Sequence, residues 1–199
     1  MTTTLVMPRT TIPQHVVVDR GSWAMLMFIA TEAMLFVALF FSYYYLGRFQ
    51  PVWPPSPPKY ALALVMLVLL ASSSVVLHRG ERAARRGYGQ AARRWTGLTV
   101  VLGLIFLGVQ ALEYRNHLRE LTPTTDAYGS IFYTITSFHA AHVILGLLML
   151  GYVLLLPDIG RSAKPPHRPL FNASLYWHFV DTVWVVIVAL LYLAPHVGR

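Results

Sequence analysis

Five long apolar stretches organise the chain, at about 22–46, 60–78, 95–114, 129–156 and 170–194. Each is close to or above the roughly 20 apolar residues that a helix needs to cross a bilayer. None shows the two-residue alternation of a strand, and lipid admits only helices or closed barrels, so the pattern predicts five transmembrane helices. The expected fold class is an all-α membrane protein, with residues 1–199 forming a single transmembrane domain. Between the first two stretches lies Gln-Pro-Val-Trp-Pro-Pro-Ser-Pro-Pro-Lys (50–59), which cannot continue a helix because proline lacks an amide donor and crowds the preceding turn. The second link, His78–Arg94, carries Arg79, Arg82, Arg85, Arg86, Arg93 and Arg94 against Glu81 alone. No internal repeat or long low-complexity tail is visible.

The charges give the helices a direction. Arg9 and Arg20, the six arginines of the second link, and Arg161, Lys164 and Arg168 put 11 cations on one face. Arg48, Lys59, Arg115, Arg119 and Arg199 put five on the other. The positive-inside rule then places the N-terminus inside and the C-terminus outside. Met1–Asp19 has no continuous apolar core, so no cleavable signal peptide is expected and the first span directs insertion.

Composition agrees and narrows the chemistry. The chain is 56% hydrophobic and 12% charged, against about 25% charged in soluble domains. It has no cysteine, which excludes disulfides, thiolate nucleophiles, zinc–thiolate sites and Cys-ligated iron–sulfur clusters. The net charge of +8 comes from arginines between apolar segments, a topology signal rather than a nucleic-acid surface.

Ionisable residues inside the spans are the chemical lead, since one at the bilayer centre costs about 2.5–3.5 kcal/mol on insertion scales. Glu32 and Asp181 each lie about ten residues from the inner ends of the first and fifth helices, and His142 about 14 from that of the fourth. At about 1.5 Å per residue these share one level, so a Glu–His–Asp cluster is expected. It would be either a proton-handling or ligand site, or a polar cluster that fixes helix register. His139 and His142 are three apart on one face, which invites a metal or haem reading. A di-iron bundle needs Glu-x-x-His on two helices, and neither Glu32 nor Glu113 is followed by histidine at that spacing. Gln110, Glu113 and Tyr114 end the third helix; Gln110 and Glu113 share a face that could bond a neighbouring helix or sit as a solvated rim. Tyr43, Tyr44, Tyr45 and Trp53 read as an interfacial aromatic belt. Gly103, Gly108, Gly146 and Gly151 allow close helix approach.

Several segments together resemble a known family. Phe-His-Ala-Ala-His-Val-Ile-Leu-Gly (138–146), Tyr-Trp-His-Phe-Val-Asp-Thr-Val-Trp (176–184), Trp23 through Ala33 with Glu32, and Gln110-x-x-Glu113-Tyr114 are similar, in order and spacing, to subunit III of haem–copper oxidases. Longer members of that family have seven helices; the five here resemble the short bacterial forms. The resemblance implies an accessory subunit without catalytic residues, metal, haem or copper of its own, in a multi-pass arrangement in the bacterial cytoplasmic membrane. Haem and copper would sit in partner subunits, the catalytic subunit I and subunit II, fed by cytochrome c or quinol. It further implies bound phospholipid in a cleft suggested as an oxygen route, and a part in proton uptake and durability. Glu32 would be the buried carboxylate of the cleft region, with His142, His178 and Asp181 as its polar partners and His139 nearby. A cytochrome c oxidase, a quinol oxidase and a nitric oxide reductase-associated protein share these motifs. A small proton-coupled transporter relaying through Glu32, His142 and Asp181 would need a continuous water path and commonly repeated halves, neither of which the sequence displays.

Overall fold

The computed structural model describes residues 20–55, 60–117, 126–157 and 168–197. Arg9, Lys59, Arg119, Arg161, Lys164 and Arg199, on which part of the charge count rests, lie outside the described residues, as does Met1–Asp19. Five long helices follow in order: α1 (Arg20–Arg48), α2 (Tyr60–Arg85), α3 (Gly89–His117), α4 (Ala127–Leu155) and α5 (Arg168–Ile187). A π-helical turn, Val188–Leu193, and a last turn, Ala194–Val197, prolong α5. All five are long and apolar enough to cross a membrane, and no strand occurs among the described residues.

The helices outrun the apolar stretches, most of all at the arginine-rich link. That link is a hairpin of two helix ends, since α2 continues to Arg85 and α3 starts at Gly89. Apolarity marks only the part in hydrocarbon; beyond it the backbone keeps its own hydrogen bonds while arginine stems lie along the bundle and heads reach water. Gly87, at φ +80, adopts the left-handed conformation that only glycine takes without penalty. Its amide donates to the Ala84 carbonyl at 3.0 Å and that of Tyr88 to Ala83 at 2.9 Å, the paired bonds of a Schellman cap. The arginines stay close to the protein: Arg79 lies 5.5 Å over the Trp95 ring, and Arg93 donates to the Leu156 carbonyl at the end of α4, at 2.8 Å. At the other end of α4, Asp126 caps the helix by accepting from the Gly129 amide at 2.6 Å.

The last span is the hub. α5 packs against α1, α2 and α4, while α2 packs on α3, α3 on α4 and α4 on α1. Four helices thus wrap α5 in the order α1, α4, α3, α2, and no packing of comparable size joins α1 to α2. Phe171, Thr182 and Val185 of α5 and Ala189 of the π-helical turn are exposed, at a spacing that forms one stripe. On its other sides α5 contributes Tyr176, Trp177, Trp184 and Tyr192, all fully buried. α1 is the least embedded helix, burying only Ser22, Phe36 and Tyr43.

Candidate functional site

α1 and α4 are joined by a histidine–carboxyl contact within their spans. His142 Nε2 stands 2.9 Å from Glu32 Oε2, and His142 Nδ1 is 2.7 Å from the carbonyl oxygen of Phe138 one turn earlier. A carbonyl only accepts, so Nδ1 carries a proton and donates to Phe138. The contact between Nε2 and Glu32 therefore holds one further proton, on either the imidazole or the carboxyl. The Phe36 ring meets the His142 ring edge-on at 4.9 Å, which fixes its plane. The Glu32 side chain keeps 22% of its surface exposed, so the pair lies at the margin of the bundle rather than at its centre.

Asp181 does not join it. Its Oδ2 accepts from Ser74 Oγ on α2, and Ser74 Oγ is also 2.8 Å from His178 Nδ1. With Ser74 donating to Asp181, His178 Nδ1–H donates to Ser74. Beside them Trp177 Nε1 donates to Ser73 Oγ at 2.9 Å. The single Glu–His–Asp cluster implied by depth is thus two separate groups, Glu32–His142 on the α1–α4 side and His178–Ser74–Asp181 on the α2–α5 side. Depth is one coordinate only; the direction around each helix axis decides the partner, and α5 turns Asp181 towards α2. The serine between histidine and aspartate also breaks the order a nucleophile needs, in which histidine takes the serine proton and the carboxylate orients the histidine.

His139 and His142 likewise part company. His139 is fully buried, stacked on Trp184 at 4.9 Å and edge-on to Phe106 at 5.8 Å. No group of three or more His, Asp and Glu side chains converges as metal ligands among the described residues.

Gln110 and Glu113 form no solvated rim: they are 3% and 1% exposed. α3 runs on to His117, which sets Glu113 a turn inside the helix end. Glu113 Oε1 accepts from the Tyr192 hydroxyl at 3.1 Å. Eight residues of regular α-helix would turn Tyr192 about 80° away from Trp184; the wider π-helical turn offsets this, and the two rings lie 6.4 Å apart. Tyr114 donates to Thr136 Oγ1 at 2.7 Å, tying α3 to α4. Ser73, Ser74 and Tyr192 complete these contacts without standing out as candidate site residues in the sequence. The serines have a signal, a Ser-Ser-Ser run at 72–74 inside an apolar span, where small hydroxyl residues bond neighbouring helices. Tyr192 has none, because the π-helical turn that aims it is not a pattern of residue types.

Comparison with known proteins covers nearly this whole architecture. The family described as Cytochrome c oxidase subunit III matches residues 6–195. "Cytochrome c oxidase subunit 3" of Synechocystis sp. is 38% identical over 179 residues, covering 88% of this chain and 76% of that protein. The protein of the same name from Bacillus subtilis is 34% identical over 184 residues, 89% of this chain and 86% of the relative. "Probable cytochrome c oxidase subunit 3" of Mycobacterium tuberculosis is 38% identical over 175 residues, 84% of each chain. With its five spans in place and a match running almost end to end, the chain belongs to the cytochrome c oxidase subunit III family and is a membrane subunit of a haem–copper oxidase.

Proposed function

We propose that the chain is an accessory, non-catalytic subunit of a proton-pumping cytochrome c oxidase in a bacterial cytoplasmic membrane. The complex would take electrons from cytochrome c and reduce oxygen to water as the last step of aerobic respiration. The observation that carries the reading is the agreement of bacterial relatives, each bearing the cytochrome c oxidase subunit 3 name, over most of this chain. The catalytic subunit I and subunit II would be its neighbours and would hold the haem and copper. Its N-terminus would face inside and its C-terminus outside.

The role within the complex is support. Glu32 and His142, at the bundle margin, form the polar part of a surface that binds phospholipid beside the catalytic subunit. A pair that keeps one proton between two groups suits a lipid-facing position, since it presents no isolated charge to hydrocarbon. Lipid held there would sustain turnover and oxygen access. His178 and Asp181 tie α5 to α2 and keep this surface in shape.

Gentle detergent purification through a tag on this chain tests the reading, followed by an optical spectrum and oxygen uptake with reduced cytochrome c and with quinol. Co-purified haem and uptake with cytochrome c are expected. Uptake with quinol alone would make the complex a quinol oxidase. A colourless chain running alone, from membranes that contain the oxidase, would overturn the accessory role in favour of a transporter.

A further inference from the structure

Three fully enclosed side chains between α3, α4 and α5 carry polar atoms without a hydrogen-bond partner: both ring nitrogens of His139, Nε1 of Trp184 and Oε2 of Glu113. His139 and Trp184 are 0% exposed and Glu113 1%. Leaving such an atom unpaired forfeits the hydrogen bonds it makes to water in the unfolded chain, and more than about 90% of buried polar groups in folded proteins are paired. Four together need an explanation.

They are also contiguous. His139 stacks on Trp184 at 4.9 Å, and Phe106 lies 5.8 and 5.1 Å from the two rings. The Trp184 ring is 6.4 Å from that of Tyr192, whose hydroxyl reaches Glu113 Oε1. Gln110, buried as well, occupies the same face of α3 between Phe106 and Glu113. Trp177 supplies the contrast: it is fully buried on the same helix, and its indole N–H is satisfied by Ser73.

The mixture of groups selects the ligand. An indole N–H offers nothing to a cation, and a glutamate oxygen and an aromatic cage offer little to an anion. A neutral imidazole has one donor and one acceptor. Water serves all three groups, and a buried water typically makes about three hydrogen bonds to groups otherwise left unsatisfied.

We propose that the space among α3, α4 and the π-helical end of α5 is a water-binding site. A file of ordered water runs along the inner face of α3, from Glu113 Oε2 past Gln110 to Trp184 Nε1 and His139. Phe106 and Glu113 are seven residues apart, about 10 Å along the helix, a span that about three waters bridge at roughly 2.8 Å spacing. The file gives Glu113 a hydrogen-bonded connection to His139 inside the bilayer, distinct from the Glu32–His142 pair and independent of which electron donor the complex uses.

X-ray radiolytic labelling of the wild-type complex, purified in detergent through a tag on this chain, tests the proposal with residue-level mass spectrometry. Bound water is converted to hydroxyl radical in place, so a side chain next to it is oxidised even when sealed from solvent. Trp184 is expected to oxidise several-fold faster than Trp177, although both are fully buried in one helix. Equal rates, or a faster Trp177, would overturn the site. The comparison lies within one molecule, so no variant has to fold.

Discussion

The edge of Trp177 occupies the space that a side chain at Gly103 would fill. A Cβ built there stands 2.7 Å from Trp177 Cη2 and 2.7 Å from Leu147 Cδ2. From the opposite side Gly146 does the same, with Trp177 Cε3 2.9 Å from its Cβ position. One indole of α5 is thus clamped between α3 and α4 by two missing side chains, while its N–H reaches α2. That ring contacts three of the four helices around α5.

Gly103→Ala should therefore destabilise the bundle by about 1–3 kcal/mol, the usual cost of overpacking a close-packed site. Gly108→Ala, where a Cβ would meet nothing within 4 Å, should be neutral or slightly favourable by helix propensity. Thermal melting of the purified complex, followed by release of this chain, separates the two. Equal melting temperatures for both variants would show that the clamp is not tight.

Ser73→Ala should strand the Trp177 N–H and cost about 1–3 kcal/mol. Trp177→Phe in the same background should add less than it costs alone, because the hydrogen bond is already gone. A double-mutant cycle on chain retention measures this coupling; strict additivity would remove the Ser73–Trp177 bond from the account.

Asp181→Leu should loosen α5 from α2. It deprives Ser74 of its acceptor and breaks the link through Ser74 to His178, so the chain should be lost from the complex at lower detergent concentration than wild type. Asp181→Asn, which can still accept from Ser74, should be retained better. Normal retention and thermal stability of the leucine variant would count against a structural role for the group.

Glu32→Gln keeps an acceptor for His142 but abolishes the carboxyl that shares its proton. The haem spectrum of the complex should be unchanged, while co-purified phospholipid and turnover over many cycles should fall more than the initial rate. Loss of haem from an otherwise assembled complex would contradict a purely supporting role.

Much of the fold is legible in the sequence because the bilayer imposes one simple requirement, a run of apolar residues of the right length. All five spans follow from that. Helix ends do not, since Arg82 and Arg85 are helical while outside any apolar run. The candidate site divides in the same way. Depth, counted from a helix end, puts Glu32 and His142 at one level, and the structure has them 2.9 Å apart. Depth puts Asp181 there too, yet its direction around α5 sends it to Ser74. Glu113 reads as a rim residue because the apolar stretch ends beside it; only the continuation of α3 and the π-helical turn of α5 enclose it.

The position of α5 in the chain has a consequence for biogenesis. The spans emerge from the ribosome in order, so α1 to α4 meet the membrane before the helix on which they converge. The hairpin of α2 and α3 and the contacts of α3 and α1 with α4 can form at that stage. Ser73, Ser74 and Glu113 must wait for Trp177, Asp181 and Tyr192. Until then Glu113 lacks the Tyr192 hydroxyl, an ionisable group inside a span without its partner, whereas Ser73 already donates to the Leu70 carbonyl of its own helix. α5 and its π-helical extension thus complete the polar contacts of helices made before them.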